Sequence, residues 1–272
     1  MEDLVQELMS RFEEEKISIS IPSSRADKYS VDIARQVQKV RKTGITIAPE
    51  AGTERLRKVI NKNLRHEQII ETAKYIFACG WKVIKLYFMV GLPTETMKDI
   101  DGIIECIYDV LNASKRDGKG KPFGKVNVTI STFIPKPHTP FQWMPMMDLD
   151  RIRYVHGYLR KRICSNKIKL KFHQPDTSLL ECVFSRGDRR LSKVIENSWR
   201  NGCRFDEWTE CFDVNLWNKS FIDIGIDPKE YLREREQDEG FPWEIINTSV
   251  SREFLWQQRC NAYKNDELLE NR

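Results

Sequence analysis

The sequence predicts an α/β protein: a partial (β/α) barrel of about five parallel strands over residues 1–174, then a helical region over 175–272. Three observations predict it. Short apolar runs of strand character alternate with apolar residues at helical spacing. Each strand leads through a turn into a helix long enough for a right-handed crossover between parallel strands. Past His173 the alternation stops and only helical patterns follow. A doubly wound open sheet is the competing architecture.

The elements follow in order. Residues 3–14 read as an acidic amphipathic helix. Lys16–Ile21 alternates with period two and reads as a strand. Val31, Ile33, Ala34, Val37 and Val40 form a helical stripe that stops at Gly44. Ile45–Ala48 is a short strand, and Thr53–Ile60 a helix. The stripe from Leu64 to Phe77 is a further helix, stopped by Gly80. Lys82–Val90 is a strongly apolar strand, and Ile100 to Leu111 a long amphipathic helix. Lys115–Gly124 is a polar loop, Val126–Ile134 a strand, Leu149–Ile163 a helix and Ile168–Phe172 a strand. Helices are expected over 176–186, 188–202, 206–222 and 250–264, with a loop at Gln237–Pro242.

Composition is that of an ordinary globular chain, with 40% hydrophobic and 31% charged residues in 272. No apolar run approaches a membrane span, and the acidic N-terminus lacks a signal-peptide layout, so no membrane partner and a cytoplasmic location are expected. The net charge of +5 is too weak and dispersed to indicate nucleic acid. The densest basic run, Arg160 to Lys171, reads as a solvated helix end and an edge strand. The seven cysteines are never closer than eight residues apart. No CxxC or CxxxCxxC exists, so no local metal or cluster site is encoded.

In a barrel, chemistry gathers where strands exit into helices. The exits here read PSSRAD from Pro22, PEAGT from Pro49, GLPTET from Gly91, PKPHTP from Pro135 and HQPD from His173. All carry polar or ionisable residues among turn formers. Glu50 can accept from vicinal hydroxyls or pair with an ammonium. It can equally cap the helix opening at Thr53. Gly91 permits close approach of a ligand to backbone, Pro93 stiffens the turn, and Thr96 with Asp99 can cap the next helix. The Pro-rich loop holding Lys136, His138 and Trp143 presents basic groups suited to an anionic substrate, or is a surface loop with incidental charge. His173, at the last exit, is a further candidate.

The runs Ile47–Leu56 (IAPEAGTERL), Val59–Lys62 (VINK) and Phe88–Thr96 (FMVGLPTET) resemble the second half of the radical S-adenosylmethionine (SAM) core. The segments at Ile21–Asp27, Phe133–Trp143 and Val250–Leu255 are similar to a narrower set, the B12-binding-domain-associated radical SAM proteins of uncharacterised function. The resemblance implies a [4Fe–4S] cluster held by CxxxCxxC. The cluster cleaves SAM to a 5′-deoxyadenosyl radical, which abstracts hydrogen from substrate. It places cofactor contacts at Glu50, Lys62, Arg25, Tyr87, Gly91, Leu92 and Pro93, with Glu50 toward the ribose and Lys62 toward the SAM carboxylate. Tyr87 departs from the Asp that some relatives carry there. Lys136 and His138 are the substrate-binding candidates.

The cluster cysteines, the first two barrel strands and any cobalamin domain have no counterpart in this sequence. The chain therefore reads as the SAM- and substrate-binding portion of such an enzyme, inactive alone, needing an N-terminal cluster-bearing or cobalamin-binding partner segment. The alternative is a non-catalytic remnant used as a binding module. A fragment or split-gene product fits a contiguous absence better than gradual loss. A barrel short of strands is expected to expose an apolar interior, and so to self-associate or to cover the gap with its N-terminal helix.

Overall fold

The computed structural model describes residues 2–12, 15, 17, 45–115 and 120–270. Apart from Ile17, the expected strand at Lys16–Ile21 lies outside the described residues, as do the helical stripe from Val31 to Val40 and the site candidate Arg25. The elements are α1 (Glu2–Phe12), β1 (Ile45–Glu50), α2 (Glu54–Val59), α3 (His66–Ala78), β2 (Val83–Val90), α4 (Met97–Asn112) and β3 (Lys125–Thr132). They continue with α5 (Leu149–Arg162), β4 (Ile168–Phe172), α6 (Pro175–Arg186), α7 (Leu191–Arg200), α8 (Val214–Ile224), α9 (Lys229–Leu232) and α10 (Arg252–Glu270).

The four described strands form one parallel sheet in the order β1-β2-β3-β4. That order separates the two architectures the sequence left open. A doubly wound sheet reverses its strand order at a switch point. Sequential parallel strands with right-handed crossovers place successive helices on one side, as in a barrel wall.

The registers show which face is buried. Ile45 pairs with Ile84 and Ile47 with Leu86, while Val126 pairs with Ile168 and Val128 with Leu170. Paired residues share a face, and this face makes the core with α3, α4 and α5. In α4, Ile100, Ile103, Ile107, Val110 and Leu111 recur at helical spacing and are all buried. Each such side chain stabilises the fold by roughly 1.5–3 kcal/mol on burial. Thr96 and Asp99 start α4 with a capping box.

The opposite face carries Thr46, Lys85, Tyr87, Asn127, Thr129, Lys169 and Lys171, with Thr46 beside Lys85 and Thr129 beside Lys171. The expectation of an apolar interior is not met for these strands. Alternation with period two fixes the result: once Ile, Val and Leu face the helices, polar residues must face away.

The chain divides into two compact units. Residues 1–131, 154–172 and 264–272 make up one, and 132–153 with 173–263 the other. The second is helical, with buried Leu180, Val183, Leu191, Val194, Trp217, Phe221 and Tyr231 at its centre. A satellite core joins Trp143, Phe241, Trp243 and Leu255. Buried Arg186 donates to the carbonyls of Met144 and Arg233, fixing the loop before α5 to the segment after α9. The helix expected over 206–222 begins later, at Val214. Asp213 is the reason: its carboxylate accepts from the Asn215 amide and caps the helix there. None of the described helices is long and apolar enough to cross a membrane.

Candidate functional site

The exits of β1 and β2 are built as one assembly within the first unit. A bulge interrupts β1, where Ile47 pairs with Leu86 but Glu50 with Phe88. The extra residue re-aims the strand end, and Glu50 lies at φ 68°, which non-glycine residues rarely adopt. Strain of this kind, of order 1–3 kcal/mol, persists only where surrounding contacts impose it.

Those contacts can be named. Gly52 sits against the first turns of α4. A Cβ at Gly52 would lie 2.1 Å from the Asp99 carbonyl and 2.4 Å from the Ile103 nitrogen, and Gly102 leaves the room on the other side. Asp99 is 1% exposed and gathers both exits. It accepts from the Thr53 hydroxyl, from Arg55 Nη2 at 2.5 Å, and from the Thr96 amide and hydroxyl at 2.8 Å each. Arg55 also donates to the Thr94 carbonyl at 2.9 Å and its hydroxyl at 3.1 Å. Burial alone would raise the Asp99 carboxyl, but the hydrogen bonds from Thr53, Thr96 and Arg55 outweigh it and hold the group below its ordinary value.

Lys62 is delivered by a helix ending. Asn61, in the left-handed conformation at φ 55°, follows the cap of α2. The Lys62 amide bonds the Arg57 carbonyl at 2.7 Å and the Asn61 amide bonds that of Lys58 at 3.0 Å, the two bonds of a Schellman motif. The chain turns back, and Lys62 Nζ meets Glu50 Oε1 at 3.2 Å. The pair is partly open, at 21% and 29% side-chain exposure. Glu50 Oε2 and the remaining Lys62 protons can therefore face a ligand.

Arg57 fixes this spacing from behind. It is fully buried, donates from Nε to the Leu64 carbonyl at 2.7 Å, and from Nη1 to those of Ala51 and Gly52 at 2.9 and 3.2 Å. The loops carrying Glu50 and Lys62 are thus bolted to one guanidinium. Burial pulls Arg57 below its ordinary value, with the neighbouring Cys106 and Glu54 opposing.

The other expected residues fall as follows. Gly91, at φ 87°, takes a conformation suited to glycine, and its amide donates to Glu95 Oε1 at 3.0 Å. Leu92 and Pro93 are buried in the turn. Tyr87 is 41% exposed on the polar sheet face. Lys136 and His138 belong to the second unit. Lys136 is engaged by Glu181 at 2.5 Å and Ser185 at 3.0 Å. His138 lies at φ 56°, and its amide donates to Gln142 Oε1 at 3.0 Å. Trp143, beside them in sequence, is wholly buried and belongs to the core. His173 is exposed at the end of β4.

The described residues do not suit an iron–sulfur cluster. No group of three His, Cys, Asp or Glu able to hold a metal occurs among them, and none of the seven cysteines is in a disulfide. Burial pushes the Cys106 thiol up to about 12 and the Cys182 thiol up to about 11, the opposite of what a thiolate ligand needs. SAM is a different matter, since its ammonium, carboxylate and ribose hydroxyls match an open carboxylate–ammonium pair beside a glycine turn.

Arg57, Asp99, Arg55 and Asn61 were not singled out from the sequence as parts of this assembly. The Thr96–Asp99 spacing signalled a cap, but nothing local told that the same carboxylate reaches Thr53 and Arg55.

The chain is 34% identical over 194 residues to an uncharacterized protein of Methanocaldococcus jannaschii, an alignment covering 71% of this chain. It spans 40% of that relative's length. Residues 1–107, which carry the Glu50–Lys62 pair and the Gly91 turn, match the Radical SAM superfamily model.

Proposed function

We propose that the chain supplies the SAM- and substrate-binding portion of a radical SAM enzyme. The observation that carries the reading is the open Glu50–Lys62 pair, fixed beside the Gly91 turn by Arg57 and Asp99 inside the segment that resembles the superfamily. In this reading Lys62 meets the SAM carboxylate, Glu50 accepts from the ribose hydroxyls, and the Gly91–Pro93 backbone lies along the adenine. Arg25 and Tyr87 are proposed as further contacts. Lys136 and His138 are proposed toward substrate, with Lys136 exchanging Glu181 for the incoming anion.

A [4Fe–4S] cluster would supply the electron that cleaves SAM. No set of ligands for it occurs among the described residues, so the proposal places them on a cluster-bearing segment elsewhere, with a cobalamin-binding segment as a further partner. Self-association is also proposed, because β4 lies at one edge of the sheet formed by the described strands. The absence of a cysteine triplet equally favours a second reading, a non-catalytic SAM-binding module.

Calorimetric titration of the chain with SAM tests the core of the proposal. Saturable binding that weakens at least about tenfold in Lys62→Met and in Glu50→Gln is expected, since one charge-assisted hydrogen bond contributes about 1.5–3 kcal/mol. Binding unchanged in both variants, or no binding, overturns it.

A further inference from the structure

Within the second unit lies a pocket of about 210 Å³. His138, Gln142, Phe241, Trp243, Asn247 and Arg252 are among its lining residues. Its floor is unusual in its hydrogen bonding. Gln142 is 3% exposed, and its Oε1 accepts twice, from the His138 amide at 3.0 Å and from Trp243 Nε1 at 2.8 Å. Both partners are N–H donors, so the orientation of the amide is fixed: the oxygen faces them and Nε2 faces away. Nε2, with two protons to donate, has no acceptor among the described residues. The neighbouring His138 Nε2 is buried without a partner. A buried polar atom such as His138 Nε2 is costly unless something completes it, and Gln142 Nε2 opens toward the same pocket.

Two of the lining residues are aromatic. Phe241 and Trp243 are stacked, with centroids 4.7 Å apart and planes 12° from parallel. Arg252 is not available as an anion anchor. Its guanidinium is taken by Glu244 and by the carbonyls of Gln237 and Glu239, and it lies over the Phe241 ring at 4.9 Å. The pocket thus offers one neutral donor, Gln142 Nε2, beside two aromatic side chains.

We propose that this pocket binds a small planar molecule whose carbonyl or carboxylate oxygen accepts from Gln142 Nε2 while its ring lies against Phe241 and Trp243. The proposal does not rest on SAM binding, so either can fail without the other.

Saturation-transfer NMR on the full chain tests it with three probes. Acetophenone offers a neutral carbonyl, benzoate a carboxylate, and benzylamine a donor with no acceptor oxygen. Acetophenone or benzoate, or both, should bind at least about tenfold more tightly than benzylamine, and which of the two wins tells a carbonyl from a carboxylate ligand. Gln142→Glu keeps the acceptor for His138 and Trp243 but replaces the free donor with an oxygen, and should abolish binding of both. Val250→Trp, an exposed change at the pocket lining, should block the site without touching the core. Equal binding of all three probes, binding of none, or undiminished binding in a folded Gln142→Glu or Val250→Trp protein overturns the proposal.

Discussion

Replacing Asp99 by Asn separates what the carboxylate does from what its shape does. The side chain is 1% exposed and receives four hydrogen bonds, from Thr53, Arg55 and twice from Thr96. Asparagine fits the same space but carries no charge, and its amide can only donate, so either the Thr53 hydroxyl must turn from donor to acceptor or the amide meets the donors of Arg55 and Thr96. The Arg55 guanidinium, 18% exposed, keeps Thr94 but loses its counter-charge. Removing one partner of a fully buried pair costs about 3–5 kcal/mol, and partial exposure of Arg55 discounts this to about 2–3 kcal/mol. Urea unfolding of the two proteins, read by far-UV circular dichroism, measures the difference. A change below about 1 kcal/mol would refute the idea that Asp99 holds the two exits together.

Acid should erase that difference. Asp99 is held below its ordinary carboxyl value, so its stabilisation is present above about pH 4 and disappears as pH falls through the folded-state pKa. Melting temperatures of wild type and Asp99→Asn should converge as the pH falls below about 4, and a constant gap would count against the assignment. Gly52→Ala forces a Cβ into the backbone of α4 and should cost about 2–4 kcal/mol, while Gly120→Ala, with nothing within 4 Å but a positive φ, should cost about 1 kcal/mol by the same denaturation assay. With Ellman's reagent at pH 8, exposed Cys164 and Cys211 should react promptly in the native protein, and Cys106 and Cys182 only after unfolding. Fast native labelling of Cys106 would show that α4 does not pack as described.

Strand–helix alternation carried the fold because it reports local periodicity. Lys82–Val90 and Ile100–Leu111 came out within a few residues of β2 and α4. The late start of α8 was hidden, because residues 206–212 are helix-compatible and only the Asp213 cap decides the boundary. The polar sheet face was readable in principle from Lys85, Thr129, Lys169 and Lys171. An apolar interior is what an incomplete barrel suggests, and the alternation in these strands overrides it. At the site, Glu50 and Gly91 announce themselves by following strands. Lys62 was found by resemblance, and its closeness to Glu50 depends on the Schellman turn at Asn61, which sequence periodicity does not report. Arg57 was invisible because a buried arginine that bonds only carbonyls looks, in sequence, like any helical surface cation.

The most direct test is site-resolved. Amide chemical shifts of the labelled chain, followed during titration with SAM, report where the ligand sits. The account predicts saturable shifts centred on Glu50–Thr53, Asn61–Lys62 and Gly91–Thr94. Shifts confined to other segments, or none at saturating SAM, would contradict it.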